Sequence, residues 1–193
     1  GIITAMQDNG GFEKGWLLGY VNDKFCLGLS TKGADDGDGL MSYVTGKTPF
    51  RSGLWYHVVA TYDGKLTRIY VNGSLDAEPD LQPGPSHSPA NLHLGIGSYH
   101  DDNETYPMTG WVSELTLWRD ALSAEEVTAR FEAGIAELLA KDSGVMVNSG
   151  SSALPLPIHL LDCEPGDEIV TPPLPLSTHS APTVQSGIPP PFL

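Results

Sequence analysis

The stretch from Trp55 to Gly64 is W-Y-H-V-V-A-T-Y-D-G, and residues 69–73 follow it with I-Y-V-N-G. In the first arm, residues 58, 60 and 62 point to one side and residues 57, 59 and 61 to the other, which is the two-residue period of a β-strand. The D-G and N-G pairs each favour a tight turn, because glycine tolerates the positive φ such turns need. Two turns flanking one strand predict an antiparallel meander.

Two later stretches extend this pattern, L-H-L-G-I-G-S at residues 92–98 and G-W-V-S-E-L-T-L-W-R-D-A-L-S-A-E-E-V at residues 110–127. In this order, the three stretches resemble the laminin G-like, concanavalin A-like jelly-roll family over about residues 1–135. The resemblance implies an all-β jelly-roll sandwich of two antiparallel sheets, closed by a strand at 110–119 and one short C-terminal helix. It also implies buried aromatic positions for Trp55 and Trp118. Ser113 departs from the family, which usually has aspartate there.

The residues themselves predict where the helix begins. Ser123 is a good N-cap, Glu126 completes a capping box, and Leu122 can contact Val127 as a hydrophobic staple. Gly134 costs roughly 1 kcal/mol relative to alanine inside a helix, so the helix is expected to end or bend there. An apolar stripe recurs at spacings of three and four residues, at Val127, Phe131, Ile135 and Leu138.

Composition divides the chain into two parts. The 193 residues suffice for one domain with a core, and ten of the sixteen prolines lie between Pro155 and Pro191. We therefore expect a sandwich at 1–140, followed by a linker and an extended proline-rich tail at 141–193. The tail also carries many apolar residues, which disordered segments usually lack. It is expected to pack against the sandwich or against a partner.

The first residues, G-I-I-T-A, resemble a family strand that normally follows an earlier one. The sandwich is therefore expected to lack its first strand and to present unpaired backbone groups at that edge. Residues 157–164 of the tail, or another chain through strand addition, are the candidates to fill it. A processed chain of this kind favours a secreted or organellar compartment over the cytosol.

Charge and cysteine content narrow the classes of partner. The net charge of -14 argues against nucleic acid and anionic membranes, because phosphate binding needs a basic surface. No transmembrane segment is expected, since no run approaches the roughly 18 apolar residues that a spanning helix needs. Cys26 and Cys163 are too few for a metal cluster. They form either one disulfide or two reduced thiols, and both alternatives remain open.

Two acidic loops are candidate calcium sites, D-D-G-D at residues 35–38 and D-D-N-E at residues 101–104. Calcium takes roughly six to eight oxygen ligands, and clustered carboxylates can supply several of them. Relatives in the resembled family bind calcium at the sandwich rim, which favours the second loop and its residues Asp101, Asp102 and Asn103. The alternative is that both are ordinary exposed loops, with no cofactor.

Aromatic and titratable residues supply the other candidate sites. Trp16 and Tyr99 are candidates for stacking on a glycan, although strand packing explains them equally well. His57 is expected to be a packed strand residue. No catalytic residue is predicted, because the alternating carboxylates of glucanases on this fold are missing and Glu114 stands alone. Motifs of serine hydrolases, metallopeptidases and nucleotide-binding loops are also missing, so the chain is not expected to be an enzyme.

These observations predict a non-catalytic interaction module. It would be an accessory or structural subunit, docked on a larger multi-subunit protein complex through its sheet edge and proline-rich tail. The alternative is an extracellular lectin-like or adhesion module that binds glycan or protein at the loop rim, with or without calcium. The apolar tail favours the first function, because a glycan-binding module has no need of it.

Overall fold

A computed structural model describes residues 1–8, 12–32, 41–77, 80–101 and 103–147, together with Ala153, Leu156 and Leu160. Short strands dominate these residues, and one helix follows them. The elements in chain order are β1 (Ile3–Asp8), β2 (Glu13–Val21), β3 (Lys24–Leu29), β4 (Ser42–Pro49), β5 (Val58–Tyr62), β6 (Leu66–Val71), β7 (Ser74–Leu75), β8 (Asp80–Leu81), β9 (Gly95–Ile96), β10 (Ser98–His100), β11 (Thr105–Pro107) and α1 (Ala124–Leu138).

The first sheet has five antiparallel strands in the order β4-β3-β2-β1-β9. β2 alternates buried and half-buried residues along its length, which is the two-residue period of a strand with a sheet face packed on a core. Gly15 on β2 has a φ of 112°, and a Cβ at this position would lie 2.1 Å from the Ala5 carbonyl oxygen. Only glycine therefore allows β1 and β2 to approach this closely.

The second sheet contains the hairpin predicted from the W-Y-H-V-V-A-T-Y-D-G stretch. β5 pairs antiparallel with β6, Val58 lies opposite Val71, and β7 and β8 also pair with β6. The main core cluster joins both sheets, since its buried residues come from β3, β4 and β6 and the loop after β7, namely Phe25, Leu27, Val44, Ile69, Val71 and Ala77. The two antiparallel sheets form the predicted sandwich.

Helix α1 begins as the sequence predicts. Glu126 N–H donates to Ser123 Oγ at 3.2 Å, and Ser123 N–H donates to Glu126 Oε2 at 2.8 Å, so the capping box is present. Val127 is fully buried against Val59 and Tyr70, which places α1 on the outer face of the second sheet. The expected helix end at Gly134 is wrong. The helix continues to Leu138, because burial of Ala136 beyond the glycine offsets its poor propensity.

The predicted closing strand is not a strand. Residues 111–118 lie outside every strand and are all exposed, and of residues 92–98 only Gly95, Ile96 and Ser98 lie in strands. The predicted burial of Trp55 and Trp118 is also wrong, since these side chains are 67% and 40% exposed. A strand buries its faces only when neighbouring strands continue the sheet, and the described residues supply no such neighbour for residues 111–118.

β1 has β2 on one side, and on its other side Ile3 and Thr4 pair with β9. This pairing involves only two residues of β1, so the predicted missing strand beside it stays a prediction. β5 forms one edge of the second sheet, and no strand of the described chain pairs with its outer side.

The chain divides into two compact units, Gly1–Ser143 and Gly144–Leu193. Beyond residue 147 the structure describes only Ala153, Leu156 and Leu160, whose backbone is helical. The predicted extended tail at 141–193 lies mostly outside the described residues and stays a prediction. The candidate edge strand at 157–164 lies outside the described residues, apart from Leu160. No described helix is long and apolar enough to cross a membrane.

Candidate functional site

The free edge of β5 presents a defined set of backbone groups. Two hydrogen bonds fix the pattern of the hairpin, from Asn72 N–H to the His57 carbonyl at 2.8 Å and from Asp63 N–H to the Leu66 carbonyl at 3.4 Å. Bonded positions alternate along an antiparallel ladder, so the odd-numbered residues of β5 bond to β6. The groups that point away from the sheet belong to Val58, Ala60 and Tyr62.

Residues 111–118, W-V-S-E-L-T-L-W, form an exposed segment that we call the 111–118 strip. Trp111 is 87% exposed and Leu117 is 59% exposed. In the described part of the chain, the only hydrogen bond of the strip runs from the Thr116 hydroxyl to Glu114 Oε1 at 3.3 Å. The strip thus exposes large apolar side chains together with an unpaired backbone.

The strip passes close to β5 and α1. Burial lowers the pKa of His57, the residue before β5, and the negative charge of Glu114 opposes that shift. At the other end of the strip, the Arg130 guanidinium of α1 lies 4.9 Å from the centre of the Trp118 ring. This distance is typical of a cation–π contact. The candidate site is therefore the β5 edge together with the 111–118 strip.

His57 is packed beside this site, as expected for a strand residue. Its backbone N–H donates to Asn72 Oδ1 at 3.0 Å, and its ring lies 5.7 Å from the Phe131 ring. Burial lowers the pKa of His57 below 6.5, and the nearby Glu114 charge opposes that shift. The imidazole is therefore neutral at physiological pH.

Two of the candidate calcium residues, Asp101 and Asn103, lie in the turn between β10 and β11. Asp101 is buried, and its carboxylate accepts hydrogen bonds from Asn103 N–H at 3.0 Å, Glu104 N–H at 2.7 Å and the Tyr99 hydroxyl at 2.5 Å. Asp102 and the loop at 35–38 lie outside the described residues. Among the residues that are described, no group of three His, Cys, Asp or Glu side chains could hold a metal ion. The visible role of Asp101 is to fix the turn between β10 and β11.

The two candidate glycan-stacking residues lie apart from the β5 edge in chain and sheet. Tyr99 is buried on β10, with its ring stacked on Tyr106 at 5.7 Å between centroids. Trp16 is half-buried on β2, opposite Ala5 and Leu29. The most exposed tryptophan rings are instead Trp55 and Trp111, both of which the sequence analysis missed as surface residues. The resemblance to the family indicated a strand at these residues, and a strand is usually buried.

Cys26 is buried in the core of the first sheet. Burial raises the pKa of this thiol above its usual range, so the thiolate is disfavoured. Whether Cys26 is bonded to Cys163 stays open. Cys163 lies outside the described residues.

This chain is similar in part to several known proteins. Pappalysin-1 from Mus musculus and Pappalysin-1 from Homo sapiens are each 22% identical to it over 142 residues. The match covers 68% of this chain and 8% of each relative, so the chain spans a small part of their length. A crystal structure of an S-layer domain-containing protein from Clostridium thermocellum has 20% identity and a TM-score of 0.37, covering 65% of this chain and 59% of that one.

Two family models match different parts of the chain. The DegT/DnrJ/EryC1/StrS aminotransferase family matches residues 114–193, which are less than half of the sequence and overlap the second compact unit. The other match covers residues 1–128, which contain both sheets and the start of α1. By this match, and in agreement with its antiparallel sandwich, the chain belongs to the concanavalin A-like lectin/glucanases superfamily.

Proposed function

We propose that this chain is a non-catalytic module that binds another protein and acts as an accessory or structural subunit of a larger assembly. The observation that carries the proposal is the exposed 111–118 strip beside the unpaired edge of β5. Contiguous apolar surface and exposed tryptophan are typical of protein-binding sites.

The described carboxylates support a non-catalytic role, because several have structural tasks. Asp63 accepts hydrogen bonds in the hairpin turn, Asp76 accepts from Thr48 on the neighbouring sheet, and Asp101 fixes the β10–β11 turn. Glycoside hydrolysis on such a sandwich needs two free carboxylates facing one cleft. Glu114 is exposed on the strip, and the Thr116 hydroxyl donates to it.

The second compact unit admits two hypotheses. In the first, the proline-rich segment is an anchor that holds the sandwich on its partner. In the second, which the aminotransferase match over 114–193 favours, the unit belongs to a separate aminotransferase-like domain. Deleting residues 144–193 separates them. If the segment is an anchor, the truncated chain should no longer bind its partner. If it is a separate domain, the sandwich should still bind.

A lectin-like module is the alternative function. The superfamily includes lectins by name, and Trp55 and Trp111 present exposed rings that could stack on a sugar. Under either function, a secreted or organellar compartment stays a prediction. Fractionation of the source cells tests that compartment directly.

The protein-binding function is tested with a double variant, Trp111→Ala with Leu117→Ala, in the full chain expressed in its source cells. The matched control is Leu81→Ala with Leu138→Ala, which removes two exposed leucines outside the strip. Size-exclusion chromatography with mass determination should show the native chain and the control in a larger assembly. The strip variant should elute as a free monomer with an unchanged melting temperature, because its side chains are exposed.

Elution of the native chain as a free monomer would contradict the proposed subunit role. Glycan arrays with and without calcium then test the alternative. Binding that disappears in the Trp55→Ala or Trp111→Ala variant would support a lectin-like surface near β5. Binding that depends on calcium and on Asp101 would instead place the ligand at the β10–β11 turn.

A further inference from the structure

The β5 edge lacks the usual devices that keep a sheet edge from pairing. Natural edges carry lysine, proline, a bulge or a covering segment. Val58–Tyr62, V-V-A-T-Y, contains neither charge nor proline. The edge strand of the other sheet, β4, differs in this respect, because Lys47 N–H donates to the Asp76 carbonyl at 3.0 Å and Thr48 N–H to Asp76 Oδ1 at 3.1 Å.

The 111–118 strip adds a second unpaired backbone near this edge. The strip forms no described backbone hydrogen bond with β5. The Arg130 guanidinium of α1 lies 4.9 Å from the centre of the Trp118 ring, and the neighbouring Phe131 ring lies 5.7 Å from the ring of His57, so α1 links the end of the strip to the start of β5. Each therefore offers N–H and C=O groups to a chain that would run alongside it.

We propose that β5 and the 111–118 strip together receive one extended strand from a different polypeptide. The incoming strand pairs with the outward N–H and C=O groups of Val58, Ala60 and Tyr62 on one side and with the strip on the other. This inference rests on the proposed protein-binding function and names the geometry of that binding. Recognition of this type is strand addition, in which backbone hydrogen bonds give affinity and alternate side chains give specificity.

The environment of β5 sets the chemistry of the incoming strand. Val58 and Ala60 pack on the core between the sheets, and Val59 packs on the opposite face with Val127 of α1. A strand beside β5 meets the same two faces, so it should be apolar on both. The net charge of -14 disfavours a second copy of this chain and favours lysine or arginine at the ends of the strand.

The probe is a fluorescein-labelled peptide with a central run of valine and isoleucine and two lysines at each end. A matched peptide carries proline at its centre. Fluorescence anisotropy with the full chain should detect binding of the first peptide only. Ala60→Pro should weaken that binding by about tenfold or more, because it removes an outward donor and obstructs the edge. Ala60→Ser keeps the N–H and should bind as the native chain does.

Hydrogen exchange gives a readout that does not depend on a variant that folds. On binding, the amides of Val58, Ala60 and Tyr62 should become protected, whereas those of Val59 and Thr61 are already bonded to β6 and should change little. Equal protection of all five amides, or of none, would overturn the inference. So would a dimer of the unliganded chain that Ala60→Pro dissociates, since a second copy would then fill the edge.

A separate experiment tests whether the 111–118 strip lies near β5. Glu114→Gln should lower the pKa of His57 further, as measured by NMR titration, because it removes the charge that opposes the effect of burial. Glu104→Gln, in the β10–β11 turn, is the control. An unchanged His57 pKa in Glu114→Gln would separate the strip from β5 and overturn the two-sided geometry. Another outcome is that the peptide fails to bind although the variant Trp111→Ala with Leu117→Ala elutes as a free monomer and the native chain elutes in a larger assembly. In that case this inference is wrong and the proposed function stands.

Discussion

Asp63 lies in the turn between β5 and β6, and its side chain holds that turn in place. Its Oδ1 accepts hydrogen bonds from Lys65 N–H at 3.0 Å and Leu66 N–H at 2.8 Å, and its Oδ2 forms an ion pair with Arg68 Nη1 at 2.9 Å. The Leu66 backbone bond and then the Arg68 bond lower the pKa of Asp63 from 3.8 to about 2. The charged carboxylate is thus the form that the folded turn prefers.

This shift predicts a pH-dependent contribution to stability. The folded pKa is depressed, so the contribution is present above pH 3.8 and is lost as the pH falls through about 2. Asp63→Asn should therefore be less stable than the native chain at neutral pH, by about 0.2–1 kcal/mol for an exposed ion pair. Urea denaturation of the native chain and of Asp63→Asn, at neutral pH and at about pH 2, measures the difference in their free energies of unfolding. A difference that stays constant down to about pH 2 would contradict the assignment.

Helix α1 shows how packing overrides propensity at the level of an element. Gly134 lies inside the helix, and a Cβ built there meets nothing within 4 Å. Gly134→Ala should raise the free energy of unfolding by up to about 1 kcal/mol, because alanine has the higher helix propensity and restricts the unfolded chain. Thermal unfolding followed by circular dichroism measures the change.

The matched control for this substitution is Gly15→Ala in β2. There the added Cβ would lie 2.1 Å from the Ala5 carbonyl oxygen, at a φ of 112°. That variant should lose stability, because both the contact and the backbone conformation exclude a side chain. Destabilisation by Gly134→Ala would show that the helix does not run through this position.

The whole molecule is predicted to contain one unit that folds independently. The described core clusters all lie within Gly1–Ser143. A chain ending at Ser143 should therefore unfold cooperatively at the melting temperature of the full chain. A chain ending at Ala121 should be much less stable, because it lacks Val127, which is fully buried against Val59 and Tyr70. Scanning calorimetry of both chains makes the comparison, and loss of cooperativity in the longer one would contradict it.

Local chemistry explains which predictions from sequence succeeded. The D-G turn between β5 and β6 and the capping box at Ser123 involve residues within four positions of each other, and both are present. The W-Y-H-V-V-A-T-Y-D-G stretch likewise indicated the superfamily that the family model confirms. These features depend on backbone preferences that neighbouring residues fix.

Predictions that depended on distant neighbours fared differently. Residues 111–118 were expected to form the closing strand of the family, and their exposure was missed for that reason. The position of β5 at an edge of the second sheet was not predicted either. Neither feature is detectable locally, because burial and edge position depend on which strands lie beside each other.

The amino-acid sequence by itself therefore determined the turns and the start of α1, since each follows from the preferences of adjacent residues, and its resemblance to the family indicated the class of fold. Only the tertiary structure decided that the outward groups of Val58, Ala60 and Tyr62 are unpaired and that Trp55 and Trp111 are exposed. The physical reason is that a strand satisfies its backbone through partners distant in sequence. The proposed binding surface arises where the described chain supplies no such partner.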